Sequence, residues 1–256
     1  VYKRQAHTLI KLQRTWIPAH VGKIYLIRHG QASFGMDDYD VLSPIGIRQA
    51  EIVGAHLAAQ DIRLDRCFSG SLKRQQHTAT SALAALGSLG NATPQLQIDP
   101  AFNEFDAEAV IRTLLPDMLP EEPHALEVLR NAVHHRSEFQ RLFVRLIGRW
   151  ISGKYDTPEL QSWASFVNQV SQGLNRVLES AHDKENIAVF TSGGTITALL
   201  HLITGIGPDK AFELNWQIVN TSLSCLRFRG NQVSLASFNS NVHLTLEKTP
   251  ELITYR

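Results

Sequence analysis

The chain has 256 residues, 43% of them hydrophobic and 19% charged, which suits an ordinary globular enzyme with a sizeable core. With 25 Lys and Arg against 24 Asp and Glu, its formal charge is +1; no global field draws it to nucleic acid or an anionic membrane surface, so any anion selectivity has to be local. No apolar run approaches the roughly 20 residues that span a bilayer, and Cys67 and Cys225, both in strand-like contexts, read as small core hydrophobes rather than a disulfide or metal framework; the expected compartment is the cytoplasm.

Residues 1–20 carry Lys3, Arg4, Lys11 and Arg14, and no acidic residue occurs before Asp37. They lack a continuous apolar stretch of the kind a targeting peptide needs, and the opening Val1-Tyr2-Lys3-Arg4-Gln5 resembles the translation of a sequencing-library adapter. The expectation is a non-native or disordered extension before a single domain over residues 21–256.

Lys23-Ile24-Tyr25-Leu26-Ile27-Arg28-His29-Gly30 predicts a buried strand that ends in a turn. In an open α/β sheet ligands bind outside the carboxyl ends of the strands, so Arg28 and His29 are expected to face such a crevice. A polar loop from Gln31 to Tyr39 follows. Ser43 at an N-cap and Pro44 at the first helical position then open a helix to about Gln60. Arg66 to Ser69 predicts a second strand, and Gly70-Ser71 turns it into a helix from Leu72 to about Leu86. Arg74 thereby leaves the sheet at the same edge as His29, where two guanidiniums can share one phosphate.

Leu96 to Ile98 predicts a short strand, and Phe102-Asn103-Glu104-Phe105-Asp106 a loop. Residues 107–160 read as a helical insertion over the sheet edge, with one long helical pattern from Glu122 to Arg149. Arg141, Arg145 and Arg149 recur every four residues on one face of it. That row is either an ordinary solvated face or a basic rim for a polyanionic substrate. An amphipathic helix spans Pro158 to about His182; Asn186 to Thr191 is a further strand, and Ser192-Gly193-Gly194-Thr195 leads into a helix from Ile196 to Ile203, whose first amides offer another anion-binding edge. Ser222 to Arg229 and Gln232 to Phe238 pair as a hairpin through Gly230 and Asn231.

Three strand-to-helix turns thus deliver Arg28 and His29, Arg74, and a Ser-Gly-Gly amide cluster, with Glu104 on a nearby loop. A neutral imidazole can attack phosphorus, two arginines can carry the charge of the phosphoryl oxygens, and a carboxylic acid can protonate the leaving alkoxide and then deprotonate water. No HExxH, Walker A or paired-Asp motif is present, and neither metal nor cofactor is expected.

These residues resemble the histidine phosphatase superfamily, the phosphoglycerate-mutase-like proteins. Leu26-Ile27-Arg28-His29-Gly30 is similar to its signature, Ser69-Gly70-Ser71-Leu72-Lys73-Arg74 with Thr78-Ala79 to its second segment, Phe102-Asn103-Glu104 to the segment that supplies the acid, and Val189 to Ile196 and Asn239 to Leu244 to its later ones. The resemblance implies a three-layer α/β/α fold with a mostly parallel sheet and a helical cap at about 107–160. It implies a phosphomonoester hydrolase that works through a phosphohistidine at His29, with Glu104 as general acid and base. Arg28, Arg74, Ser192, Gly193, Gln31 and Ser33 are the implied phosphate ligands, and the partner is a small phosphorylated substrate rather than nucleic acid or membrane. The oligomeric state is not indicated.

Two departures qualify the activity. Ser192 stands where the family usually has a second histidine; losing one preorganised donor costs on the order of 2–4 kcal/mol of transition-state stabilisation, about a hundredfold or more in rate. His77, one turn beyond Arg74, is an alternative source of an imidazole. Gly35 stands where many relatives place an asparagine, with Gln31 and Ser33 as stand-ins. The competing functions are accordingly a weakened or inactive phosphate-binding pseudophosphatase and a phosphoglycerate-mutase-type phosphotransferase.

Overall fold

Strand β1 (Gly22–Arg28) alternates its side chains between two cores: Ile24 and Leu26 join one apolar cluster, Tyr25 and Ile27 the other. A strand buried on both faces has to lie inside a sheet covered on both sides. In the computed structural model, which describes residues 21–33, 40–131 and 134–255, β1 lies between β4 (Asn186–Thr191) and β5 (Leu223–Arg229) in a six-stranded sheet of order β3-β2-β4-β1-β5-β6. β1, β2 (Arg66–Ser69), β3 (Leu96–Ile98) and β4 run parallel; β5 and β6 (Gln232–Ser240) form an antiparallel edge. The expected extension at 1–20 and the departure at Gly35 lie outside the described residues.

One face is covered by α1 (Pro44–Ala59) and α2 (Lys73–Ser88), which bury Val53, Leu57, Ala79, Ala82 and Leu86 against Tyr25, Ile27, Cys67 and Phe190. Ser43 caps α1 by accepting from the Gly46 amide at 3.1 Å, and Pro44 follows at the first helical position. The other face carries α6 (Trp163–Glu179) and α7 (Gly193–Thr204). On this side α3 (Ala107–Leu114), α4 (Ala125–Arg130) and α5 (Arg136–Ser152) continue the same core through Val110, Leu114, Leu146 and Trp150. This is the expected three-layer α/β/α arrangement.

Some boundaries differ from expectation. The pattern from Glu122 to Arg149 is two helices, because Asn131 closes α4 and its carbonyl takes the amides of His134 and His135 before α5 begins. Helix α6 starts at Trp163 rather than Pro158, since Ser162 accepts from the Ser165 amide and fixes the N-cap there. A helix absent from the sequence expectations, α8 (Pro208–Asn215), follows α7. The Arg145 and Arg149 row is no open basic rim: Arg145 pairs with Glu121 at 2.7 Å and with Glu122, and Arg149 pairs with Glu121 at 3.0 Å. Among the described residues no helix is long and apolar enough to cross a membrane.

After β6 the short α9 (Val242–Thr245) buries His243, only 2% exposed, with Nε2 3.4 Å from the Thr221 hydroxyl and Nδ1 without a hydrogen-bond partner among the described residues. Burial, and secondarily the neighbouring His56, pushes its pKa down from 6.5 to about 4. The unfolded chain therefore takes up this proton first. The stability contributed by the neutral ring is present above pH 6.5 and is lost as pH falls from 6.5 through about 4; that gap is worth about 3 kcal/mol. His243→Leu is expected to flatten this part of the acid limb in urea unfolding measured between pH 7 and 4. An unchanged pH slope would assign the acid sensitivity to other groups.

Candidate active site

The carboxyl end of β1 delivers Arg28 and His29 to the edge where β2 and β4 also end. Backbone bonds fix His29: its amide donates to Thr191 O at 2.8 Å, and its carbonyl accepts from Asn220 Nδ2 at 2.9 Å. The ring, 4% exposed, bonds through Nδ1 to the Gly30 carbonyl at 2.8 Å. A carbonyl can only accept, so Nδ1 carries the proton and Nε2 carries the lone pair. Burial, then Arg74, then Arg28 hold the imidazole pKa well below 6.5, against the Gly30 bond, so the ring is neutral at pH 7.

Gly30 is required by close approach: a Cβ there would lie 2.4 Å from the Gly46 carbonyl oxygen at the start of α1. The Gly30 amide donates to Thr78 on α2 at 2.9 Å, so the turn after β1 is locked to both covering helices.

Arg74, on the first turn of α2, brings Nε to 3.4 Å from His29 Nε2. Its Nη1 pairs with Asp40 at 2.7 Å, and the other oxygen of Asp40 accepts the Lys73 amide at 2.8 Å, which caps α2. Arg28 reaches the other side, donating through Nη1 to the Ile218 carbonyl. A Cβ on Gly193 would sit 3.9 Å from the Arg28 guanidinium carbon and 2.7 Å from Asn215 Oδ1.

Glu104 is carried on a loop bolted to the start of α7. Thr191 Oγ1 donates to Phe102 O at 2.7 Å and Thr195 Oγ1 to Asn103 O at 2.8 Å; the Gly194 amide donates to Glu104 Oε2 at 3.0 Å. Gly194 cannot carry a side chain here, because its Cβ would fall 2.0 Å from Glu104 Oε1. Burial raises the Glu104 pKa above 4.5, opposed by the Gly194 and Phe105 amides and by Arg74 and Arg28. The site thus pairs a neutral imidazole with a carboxyl group biased towards its acid form, a division of labour suited to nucleophile and proton donor.

Ser192 is fully buried and accepts from Gln75 Nε2 at 2.8 Å. The structure therefore brings together Arg28, His29, Arg74, Glu104, Ser192 and Gly193. No described contact joins Gln31 or Ser33 to them: the Gln31 side-chain oxygen accepts from Ser43 at 2.8 Å, and Ser33 bonds through its amide to Val41 O. His77 is on the exposed side of α2, so the side chain that reaches Ser192 is Gln75 instead. Sequence reasoning missed Asp40, Gln75 and Asn220. Among the described residues no group of three or more His, Cys, Asp or Glu is arranged to hold a metal ion.

The family model described as histidine phosphatase superfamily (branch 1) matches residues 24–138 and 131–241, which span all of these groups. The chain belongs to the histidine phosphatase superfamily. A relative named putative phosphoserine phosphatase 2, from Hydrogenobacter thermophilus, is 24% identical over 230 residues, covering 86% of this chain and 97% of the relative. Among solved histidine-phosphatase-like structures, phosphoglycerate mutase from Bacillus anthracis superposes with a TM-score of 0.59 at 17% identity, covering 90% of this chain and 98% of its own. A phosphoserine phosphatase mutant from Entamoeba histolytica, in complex with phosphoserine, superposes with a TM-score of 0.57 at 20% identity, covering 87% and 99%. At these identities the structural likeness establishes the fold.

Proposed function

We propose that this histidine phosphatase homologue hydrolyses small phosphomonoesters through a phosphohistidine on His29. The observation that carries the reading is the locked tautomer: Nδ1 is spent on Gly30, and Nε2 presents its lone pair to Arg74 Nε, one of the two guanidiniums taken to hold the phosphoryl group. Nε2 forms the bond to phosphorus as the bond to the ester oxygen breaks, and Glu104 gives its proton to the departing alkoxide. Water then attacks phosphorus, the phosphorus–nitrogen bond breaks, and the Glu104 carboxylate takes the proton. Arg28 and Arg74 hold the phosphoryl oxygens throughout, with the Ser192 hydroxyl and the start of α7 beside Gly193 as neutral donors.

Residues 107–160 are read as a cap that sets selectivity. In support, Phe143 on α5 meets Trp216 edge to face at 5.8 Å, and Trp216 follows Asn215, which lies against Gly193. One relative matched over 97% of its own length is named as a phosphoserine phosphatase, while relatives named as phosphoglycerate mutases match over 41–42% of theirs, which supports hydrolysis ahead of net transfer to a second substrate.

The test is incubation with 4-nitrophenyl phosphate and, in parallel, a rapid quench with a radiolabelled ester. Expected are nitrophenolate release and a phosphoenzyme that is labile to acid and stable to base. If neither is seen while orthophosphate still binds, the protein is a phosphate-binding pseudophosphatase.

A further inference from the structure

Gln75 follows the phosphate arginine on α2, is fully buried, and has no part in the mechanism above. Its Nε2 donates to Ser192 Oγ at 2.8 Å and to the Phe102 carbonyl at 3.0 Å. A carbonyl can only accept, so the amide orientation is fixed and Ser192 is the acceptor in the first bond. The Ser192 hydroxyl keeps its one proton to donate, and no described residue takes it. The opposite end of the amide, Oε1, is buried with no hydrogen-bond partner among the described residues, in space left open by Gly70, whose Cβ would lie 2.0 Å away. A buried acceptor left unsatisfied is unfavourable, so packing alone does not account for a glutamine here.

Ser192 is the neighbour of His29 at the sheet edge. β1 and β4 run parallel in the register Arg28 to Thr191, and the His29 amide bonds Thr191 O, which puts the next residue of each strand side by side. Ser192 is therefore adjacent to His29, on the side where a phosphoryl group on His29 is taken to present an oxygen.

We infer that Gln75 is a positioning residue that acts through Ser192, orienting and polarising the hydroxyl so that its proton is donated to a phosphoryl oxygen. A hydroxyl that accepts one hydrogen bond is a stronger donor of the next. The pair supplies a neutral donor, unchanged by pH, at the position where the family resemblance implies an imidazole. Through Phe102 the same amide also ties this donor to the loop that carries Glu104. The inference rests on the phosphoryl-binding reading of the site, though not on turnover.

The test is a double-mutant cycle with Gln75→Leu, Ser192→Ala and the pair together, reading orthovanadate affinity by calorimetry and kcat/KM for an aryl phosphate, with thermal melts to check folding. Each single substitution is expected to weaken vanadate binding roughly tenfold, and the double no further than Ser192→Ala alone. Gln75→Glu is expected to weaken it at least as much, because a carboxylate captures the Ser192 proton for itself. The inference is overturned if the losses multiply in the double substitution, if Gln75→Glu binds vanadate like wild type, or if Ser192→Ala does. The last outcome can be read even if the Gln75 variants do not fold. A wild-type protein that shows the coupled losses without turnover would sink the hydrolase reading and leave this one standing.

Discussion

His29→Ala is expected to lower kcat for 4-nitrophenyl phosphate by at least about 10⁴-fold, the scale seen when a covalent nucleophile is removed, and to abolish the phosphoenzyme. The loss should fall on kcat rather than on folding. The backbone at this position is held from both sides by Thr191 and Asn220, and neither bond uses the imidazole. Arg28 and Arg74 keep their own anchors, on the Ile218 carbonyl and on Asp40, so KM should change only a few-fold. Steady-state kinetics with a quench assay for bound phosphate checks this. Residual turnover above about one part in a hundred would mean that water, not the imidazole, attacks phosphorus, a far smaller loss than nucleophile removal produces.

Glu104→Gln is expected to cost about 10²- to 10⁴-fold with an alkyl phosphate, the usual range for a general acid, and much less with 4-nitrophenyl phosphate, whose leaving group departs without a proton. The pH dependence follows from the two shifts already described. In the proposed mechanism Glu104 has to be protonated when the ester bond breaks, and its pKa is raised above 4.5 by burial, so kcat for an alkyl ester should fall as pH rises through that raised value. His29 has to be neutral, and its pKa lies well below 6.5, so the acid side of the profile should stay flat through mildly acidic pH. In Glu104→Gln the alkaline limb should vanish. A limb that persists in the variant would give the proton to another group, and an equal loss with both esters would make Glu104 a structural residue.

The sheet was legible because its signals are local. β1 combines an apolar run with an abrupt basic end, α1 has Ser43 and Pro44 at its start, and β2 and β4 each stop at small polar turns. Four of the converging site residues lie at such stops, so their meeting follows from the topology alone. Helix α8 escaped notice although Pro208 stands at its first position, since only Ala211 and Phe212 are buried and no long apolar periodicity announces it. What the sequence could not disclose is pairing across distance. Asn220 supports His29 from 191 positions away and Gln75 meets Ser192 from 117, and neither spacing has a local signature. Gln31 illustrates the converse: with Ser33 it is the expected stand-in for the asparagine that many relatives have where Gly35 lies, yet the turn at Gly30 sends its side chain to the cap of α1.

The Arg74–Asp40 pair bears on what happens after chemistry. A guanidinium that already holds a carboxylate at 2.7 Å offers an incoming dianion less than its full charge. On the proposed reading, a phosphoryl group at Arg74 would meet a charge already partly neutralised by Asp40, so substrate and product alike would be held less tightly than by a bare guanidinium, and orthophosphate would leave the faster for it.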